Sequence, residues 1–354
     1  MKKRDADKNT ELIDYNPEYI LQEMGIPKEY LDDPNHDWSD ILSQQTDEKQ
    51  HQFDWMSDNI EESPISTSAA CKTGNRITPS EEEKSGHLRI RGYVYAVPND
   101  GRHNYQDASY PRETFDWIDI AAPFYSCVCD GVTHSSHPKA FADIVSLACG
   151  TMGAKAVTEP GSARILGDKW ISHQIQEIDA AYPSSNTAEF NAEEKKLVDR
   201  EYIHHRRAAA TLNILEINQD EAVVSSYGDT VCFHIRGNEI IAQNPPLSAD
   251  EFTNRPHQIN TDTDHIPQNQ LITSATPIQT GDILLQATDA LAQWLVSESS
   301  DLPREKRLKL LLSVSSEKEF TKLIEQERKH GRLHDDDTTM LKIELQFNER
   351  GNNK

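Results

Sequence analysis

Four short runs between residues 211 and 244, TLNILEI, AVVSSYG, TVCFHIRG and NEIIAQN, are separated only by turn residues: Asn218-Gln219-Asp220, Gly228-Asp229 and Gly237-Asn238. They are rich in β-branched residues and too short for helices. Tight turns of this kind join antiparallel neighbours, because parallel strands need a long crossover. This stretch therefore predicts an antiparallel sheet. LRIRGYVYAV after His87, PFYSCVCDGV, GDILLQATDA and the closing TTMLKIELQF add further strands. Helical spacing appears in PKAFADIVSLACGTM, at 167–178 and 192–206, in ALAQWLVSE, and at 304–313 and 317–329. Residues 250–278 are polar and proline-punctuated and read mostly as loop. Many antiparallel strands mixed with a few long helices give an α+β layered sandwich. No internal repeat is visible.

The remainder of the 354-residue chain has a different texture. Residues 1–86 are rich in Asp, Glu, Asn, Gln and Ser, and their apolar residues are scattered. They read as an acidic, largely disordered arm and linker. A short helix from Asn16 to Met24 is compatible with Pro17 at its first position. Trp38, Phe53 and Trp55 are suitable anchors for docking. Residues 87–348 form the folded domain and 349–354 a tail. The formal net charge of −23 argues against nucleic acid or anionic lipid as partners. MKKRDADKNTELID has no apolar segment behind its basic start, and no apolar run approaches membrane-spanning length. Five cysteines with no CxxC pair fit a reduced, cytoplasmic chain. Cys127 and Cys129 lie on a buried-type strand and read as core residues.

The chemistry resides in aspartates at strand ends. Asp107 lies in GRHNYQDAS, Asp130 ends FYSCVCDG, Asp289 ends DILLQATDA, and Asp336 precedes TTMLKIELQF. A carboxylate at the edge of a buried strand is costly unless it is paired or metal-bound. Oxygen-only donors of this kind suit Mg²⁺ or Mn²⁺ rather than Zn²⁺. Taken singly, each aspartate also reads as a turn former or cap.

The order of motifs is Arg102…Asn104-Tyr105-Gln106-Asp107, Cys129-Asp130-Gly131-Val132, Ala210-Thr211-Leu212, Tyr227-Gly228-Asp229-Thr230, Gly281-Asp282 leading to Thr288-Asp289-Ala290, and Asp336-Asp337-Thr338-Thr339. This order resembles that of the metal-dependent type 2C Ser/Thr protein phosphatases, in a bacterial-like form, over residues 87–347. The resemblance implies a four-layer α-β-β-α fold, an antiparallel β-sandwich with helices on both faces. It implies two Mg²⁺ or Mn²⁺ ions, Asp130 bridging them and the Gly131 carbonyl reaching the second. Asp289 and Asp336 would complete the shell of the first metal, and Asp107 would stand on the second metal's side, partly through water. Arg102 would grip the phosphate as a bidentate fork. A hydroxide bridging the two metals would then hydrolyse phosphoserine or phosphothreonine on a protein substrate of a Ser/Thr kinase, with the enzyme acting as a monomer.

Departures from the family pattern frame the alternatives. Ala290 stands where glycine is usual. His134 reads as a surface or capping residue, and Asp199 as either a third-metal ligand or a helix-surface residue. His204, His205, Arg206 and Arg207 form a cationic patch. Asp229 and Asp282 read as structural turn residues. The alternative function is a pseudophosphatase or phosphoprotein-binding module without turnover. A further reading is an unrelated sandwich in which the aspartates only form turns.

Overall fold

The structure, a computed structural model, describes residues 87–99, 105–120, 123–181, 207–253, 255–298 and 302–348, together with 196, 199, 200, 202 and 203. The expected N-terminal arm, the tail, Arg102 and the His204–Arg206 part of the cationic patch lie outside the described residues.

The described residues form twelve strands: β1 (His87–Val97), β2 (Ala108–Tyr110), β3 (Phe115–Asp119), β4 (Phe124–Gly131), β5 (Ala209–Ile217), β6 (Glu221–Tyr227), β7 (Val231–Arg236), β8 (Glu239–Asn244), β9 (Ile259–Asn260), β10 (Ile272–Pro277), β11 (Asp282–Ala287) and β12 (Thr338–Asn348). The helices are α1 (Pro138–Met152), α2 (Lys155–Thr158), α3 (Ser162–Ala181), α4 (Asp289–Val296), α5 (Arg304–Ser313) and α6 (Glu317–Lys329). One sheet has the order β3-β1-β12-β11-β7-β8; the other runs β10-β6-β5-β4-β2, with β9 added beside β5. Every pairing is antiparallel.

Strand alternation explains the layers, since successive side chains point to opposite faces. On β5, Leu212 and Ile214 face a core shared with α1 and α3, while Leu215 and Ile217 face the other sheet. On β11, Leu285 and Ala287 pack under α4–α6, whereas Leu284 faces inward. Three apolar cores result, one between the sheets and one under each helical layer. The four-layer α-β-β-α arrangement expected from the sequence is present. Within 250–278, expected to be mostly loop, Ile272–Pro277 instead pairs with β6 as an edge strand. The helix expected at 167–178 runs longer, from Ser162 to Ala181. Among the described residues no helix is long and apolar enough to cross a membrane.

Asp282 holds the turn into β11, as expected. Its buried carboxylate lies 2.8 Å from His234 Nε2 and accepts from Arg236 Nε at 2.9 Å and Nη2 at 2.8 Å. Burial alone would raise its pKa, but the hydrogen bonds from Arg236 and His234 outweigh it and hold the group below the usual carboxylate value. Asp282→Ala leaves the Arg236 guanidinium uncompensated and removes the hydrogen-bond partner of His234. It should cost about 3 kcal/mol, near the low end for a broken buried pair because Arg236 keeps solvent contact. Denaturant unfolding measures it, and a loss under about 0.5 kcal/mol would contradict the assignment.

Candidate metal centre

The inner faces of the two sheets change character along their length. β4 reads Phe124, Ser126, Val128, Asp130 on its inward side; β5 reads Ile217, Leu215, Asn213, Thr211 toward the same end. β11 likewise passes from Leu284 through Gln286 to Thr288. Apolar packing thus gives way to polar groups and then to carboxylates at one rim of the sandwich.

Asp107 precedes β2 and is fully buried. Its Oδ2 accepts from Thr339 Oγ1 at 2.8 Å, and its Oδ1 has no hydrogen-bond partner. Burial, and then the neighbouring Asp337 carboxylate, push its pKa up to about 7. Asp130 sits opposite Thr211 in the β4–β5 ladder and keeps some solvent contact. Its pKa is driven well up by loss of solvation, followed by Asp289, Asp107, Asp229 and Asp336. Asp289 opens α4 and accepts from the Ala290 N–H at 2.5 Å. The N-terminal end of a helix favours a carboxylate, yet burial and the charges of Asp229, Asp336 and Asp107 still raise its pKa. Asp336 is exposed, and its Oδ1 accepts from the Asp337 N–H at 2.8 Å.

Two participants were missed by the sequence reading. Asp229, read as a structural turn residue, is buried with its Oδ1 unpartnered; desolvation raises its pKa to about 6, and it acts electrostatically on Asp130 and Asp289. Locally, Gly228-Asp229 carries only a turn signal. Asp337 accepts from the Asn99 N–H at 2.9 Å and the Gln106 N–H at 2.6 Å, so it ties residues on either side of 100–104 to β12. The run Asp335-Asp336-Asp337 was the available signal. Arg328 on α6 steadies the same segment, donating to Pro98 O at 2.7 Å, to Asp336 O, and to Thr338 Oγ1 at 3.1 Å.

The other positions sort readily. Ala290 lies inside the first turn of α4 and packs in the core beneath the helices, where a methyl group is welcome and no glycine conformation is required. At Gly131 a Cβ would stand 2.7 Å from Gln106 O and 3.0 Å from Pro138 Cβ, so the close backbone approach requires glycine. His134 is exposed. Asp199 is half-buried on a helical turn and does not appear among the charges acting on the aspartate cluster.

These residues suit a hard divalent cation. Buried carboxylate oxygens without partners, at Asp107 and Asp229, are the signature of groups awaiting a positive charge. All donors are oxygens, as Mg²⁺ and Mn²⁺ prefer. Among the described residues no group of three or more Asp, Glu, His or Cys side chains is placed so that it could hold a metal ion by itself. Backbone carbonyls and water would have to complete any shell, the usual state for Mg²⁺.

No family model matches the chain, and no curated protein matches it. It is similar to solved phosphatase structures. The catalytic domain of the serine threonine protein phosphatase PstP, in complex with two manganese ions, is 14% identical with a TM-score of 0.43, covering 73% of this chain and 99% of that one. The serine/threonine phosphatase Stp1 from Staphylococcus aureus is 13% identical with a TM-score of 0.43, covering 72% and 94%. The photosystem II phosphatase PBCP is 11% identical with a TM-score of 0.43, covering 73% and 99%.

Proposed function

We propose that this chain is a metal-dependent Ser/Thr phosphatase of the type 2C kind, acting on phosphorylated proteins with two Mg²⁺ or Mn²⁺ ions. The observation that carries the reading is the convergence of Asp107, Asp130, Asp229, Asp289 and Asp336 at one rim, where Asp289, Asp107, Asp229 and Asp336 raise the pKa of Asp130, and Asp229, Asp336 and Asp107 raise that of Asp289. Repelling carboxylates destabilise a fold, and this one gathers them from five separate segments. When bound, the divalent ions supply an activated water near neutral pH and neutralise charge on the phosphoryl group.

The chain's own residues have distinct tasks. Asp130 and Asp289, with Asp336, hold the ions from the strand ends, while Asp229 adds a carboxylate on the same side. Gly131 presents its carbonyl where a side chain would not fit. Asp107, steadied by Thr339, orients water rather than contacting substrate. Arg102 binds the phosphate oxygens, and Asp337 fixes the residues flanking its segment.

The test is hydrolysis of a phosphothreonine peptide and of p-nitrophenyl phosphate by the purified chain, with calorimetric titration of Mn²⁺ alongside. Turnover that requires Mn²⁺ or Mg²⁺ and stops with chelator is expected. A folded protein that binds neither ion overturns the metal reading. Ion binding without hydrolysis of any phosphopeptide would favour a phosphoprotein-binding module instead.

A further inference from the structure

The middle of the inter-sheet layer holds a polar hub where aliphatic residues would ordinarily pack. Ser126 Oγ on β4 donates to Gln286 Oε1 on β11 at 2.7 Å, across the sandwich. Gln286 Nε2 donates to both the main-chain O and the Oδ1 of Asn213 on β5, each at 2.8 Å. Asn213 Nδ2 in turn reaches Ser226 Oγ at 2.7 Å, Asn244 O at 3.1 Å and Thr230 O at 3.3 Å. Ser126, Asn213, Ser226 and Gln286 are all fully buried.

Stability alone does not account for this hub. Replacing both partners of a buried hydrogen bond with apolar groups of the same shape is often neutral or favourable. The difference lies in direction. Apolar burial is non-directional, so strands packed only on aliphatics tolerate small shifts along one another. Hydrogen bonds fix distance and angle together.

The strands joined by the hub are those that carry the carboxylates. Gln286 stands three residues before Asp289, and Ser126 four before Asp130 on the same inward face. Thr230, whose carbonyl Asn213 holds, directly follows Asp229, and its hydroxyl meets Thr211 Oγ1 at 2.6 Å opposite Asp130 in the ladder. We propose that Asn213 and Gln286 are positioning residues that lock β4, β5, β11 and the β6–β7 turn in one register, setting the spacing of Asp130, Asp229 and Asp289 for divalent ions. The proposal rests on reading the aspartate cluster as a metal centre.

Gln286→Met keeps the volume and removes the cross-sheet bonds. Mn²⁺ affinity, measured by calorimetry on the folded full chain, should fall about tenfold or more, the scale seen when groups supporting ligands are lost. Ser126→Ala, a gentler change that removes one link, should weaken binding several-fold and serves if Gln286→Met does not fold. Leu345→Ala, in the apolar end of the same layer, is the destabilised control and should bind Mn²⁺ as the unaltered chain does. Affinity unchanged in both hub variants overturns the proposal. So does an equal loss in Leu345→Ala, which would trace the effect to general destabilisation. Absence of Mn²⁺ binding by the unaltered chain is a separate outcome; it removes the metal centre and this role with it.

Discussion

Replacing Asp130 by Asn should abolish metal-dependent hydrolysis while making the metal-free protein more resistant to unfolding. The two effects have opposite signs for one physical reason. In the folded chain the Asp130 carboxylate is disfavoured by loss of solvation and by Asp289, Asp107, Asp229 and Asp336. An amide of nearly the same shape removes that repulsion. Each kcal/mol recovered should raise the unfolding midpoint by roughly 2–4 °C for a domain of this size. On the proposed reading of the site, the same change also removes one of the donors to the divalent ions. Turnover of p-nitrophenyl phosphate with Mn²⁺ should drop at least about a thousandfold, equivalent to roughly 4 kcal/mol of transition-state stabilisation. Thermal unfolding in chelator and kinetics in Mn²⁺ check the two halves independently. An Asp130 that only formed a turn would leave Mn²⁺ binding untouched, and that result would sink the assignment.

The second large effect is a pH dependence that metal should erase. Asp107 has a pKa of about 7 in the folded chain, raised first by burial and then by Asp337, against roughly 3.9 in an unfolded one. Between these values the folded chain carries the extra proton. Its contribution to stability is therefore complete below about pH 4 and is lost as pH rises through about 7. Asp229, raised to about 6 by burial, acts in the same direction. His137 and His173, whose pKa values burial lowers, act oppositely, so the comparison should be made against Asp107→Asn, which shares them. In chelator the variant should gain on the unaltered chain between pH 5 and pH 8, by on the order of 2–4 kcal/mol at the alkaline end. Saturating Mn²⁺ should remove that gain, because the ion binds the deprotonated carboxylates and releases their protons. Denaturant unfolding at the two pH values, with and without Mn²⁺, reads the effect directly. A pH-independent difference between the two proteins would contradict the raised pKa of the buried Asp107.

Much of the architecture was legible because it is periodic. Alternation in LRIRGYVYAV and in the runs from Thr211 to Asn244 assigns each side chain to a face, and faces decide layers. Asp130 and Asp289 stood out because each ends a run whose other members must be buried. The edge strand Ile272–Pro277 was not legible, since its inward and outward residues are alike in polarity and only pairing with β6 makes it a strand. Ala290 looked like a departure in sequence and proved unremarkable once α4 was seen to begin one residue earlier.

The polar hub and the enlarged carboxylate group belong to tertiary structure. Asn213 lies in TLNILEI, a run that reads as an ordinary strand, and Gln286 looks like a solvent-facing interruption of DILLQA; both are fully buried. Asp229 reads as a turn former until the β6–β7 turn is brought over the end of β4. Residues 107, 130, 229, 289 and 336 meet only because the order of strands in two sheets places five distant segments at one rim. Local sequence sets which face a residue occupies, since that depends on a repeat of two or 3.6 residues. Which faces and ends come together depends on strand order and sheet packing, which are properties of the whole chain. So the strand-end aspartates were visible from the start, and their mutual repulsion, which makes them a candidate metal centre, was decided by the fold.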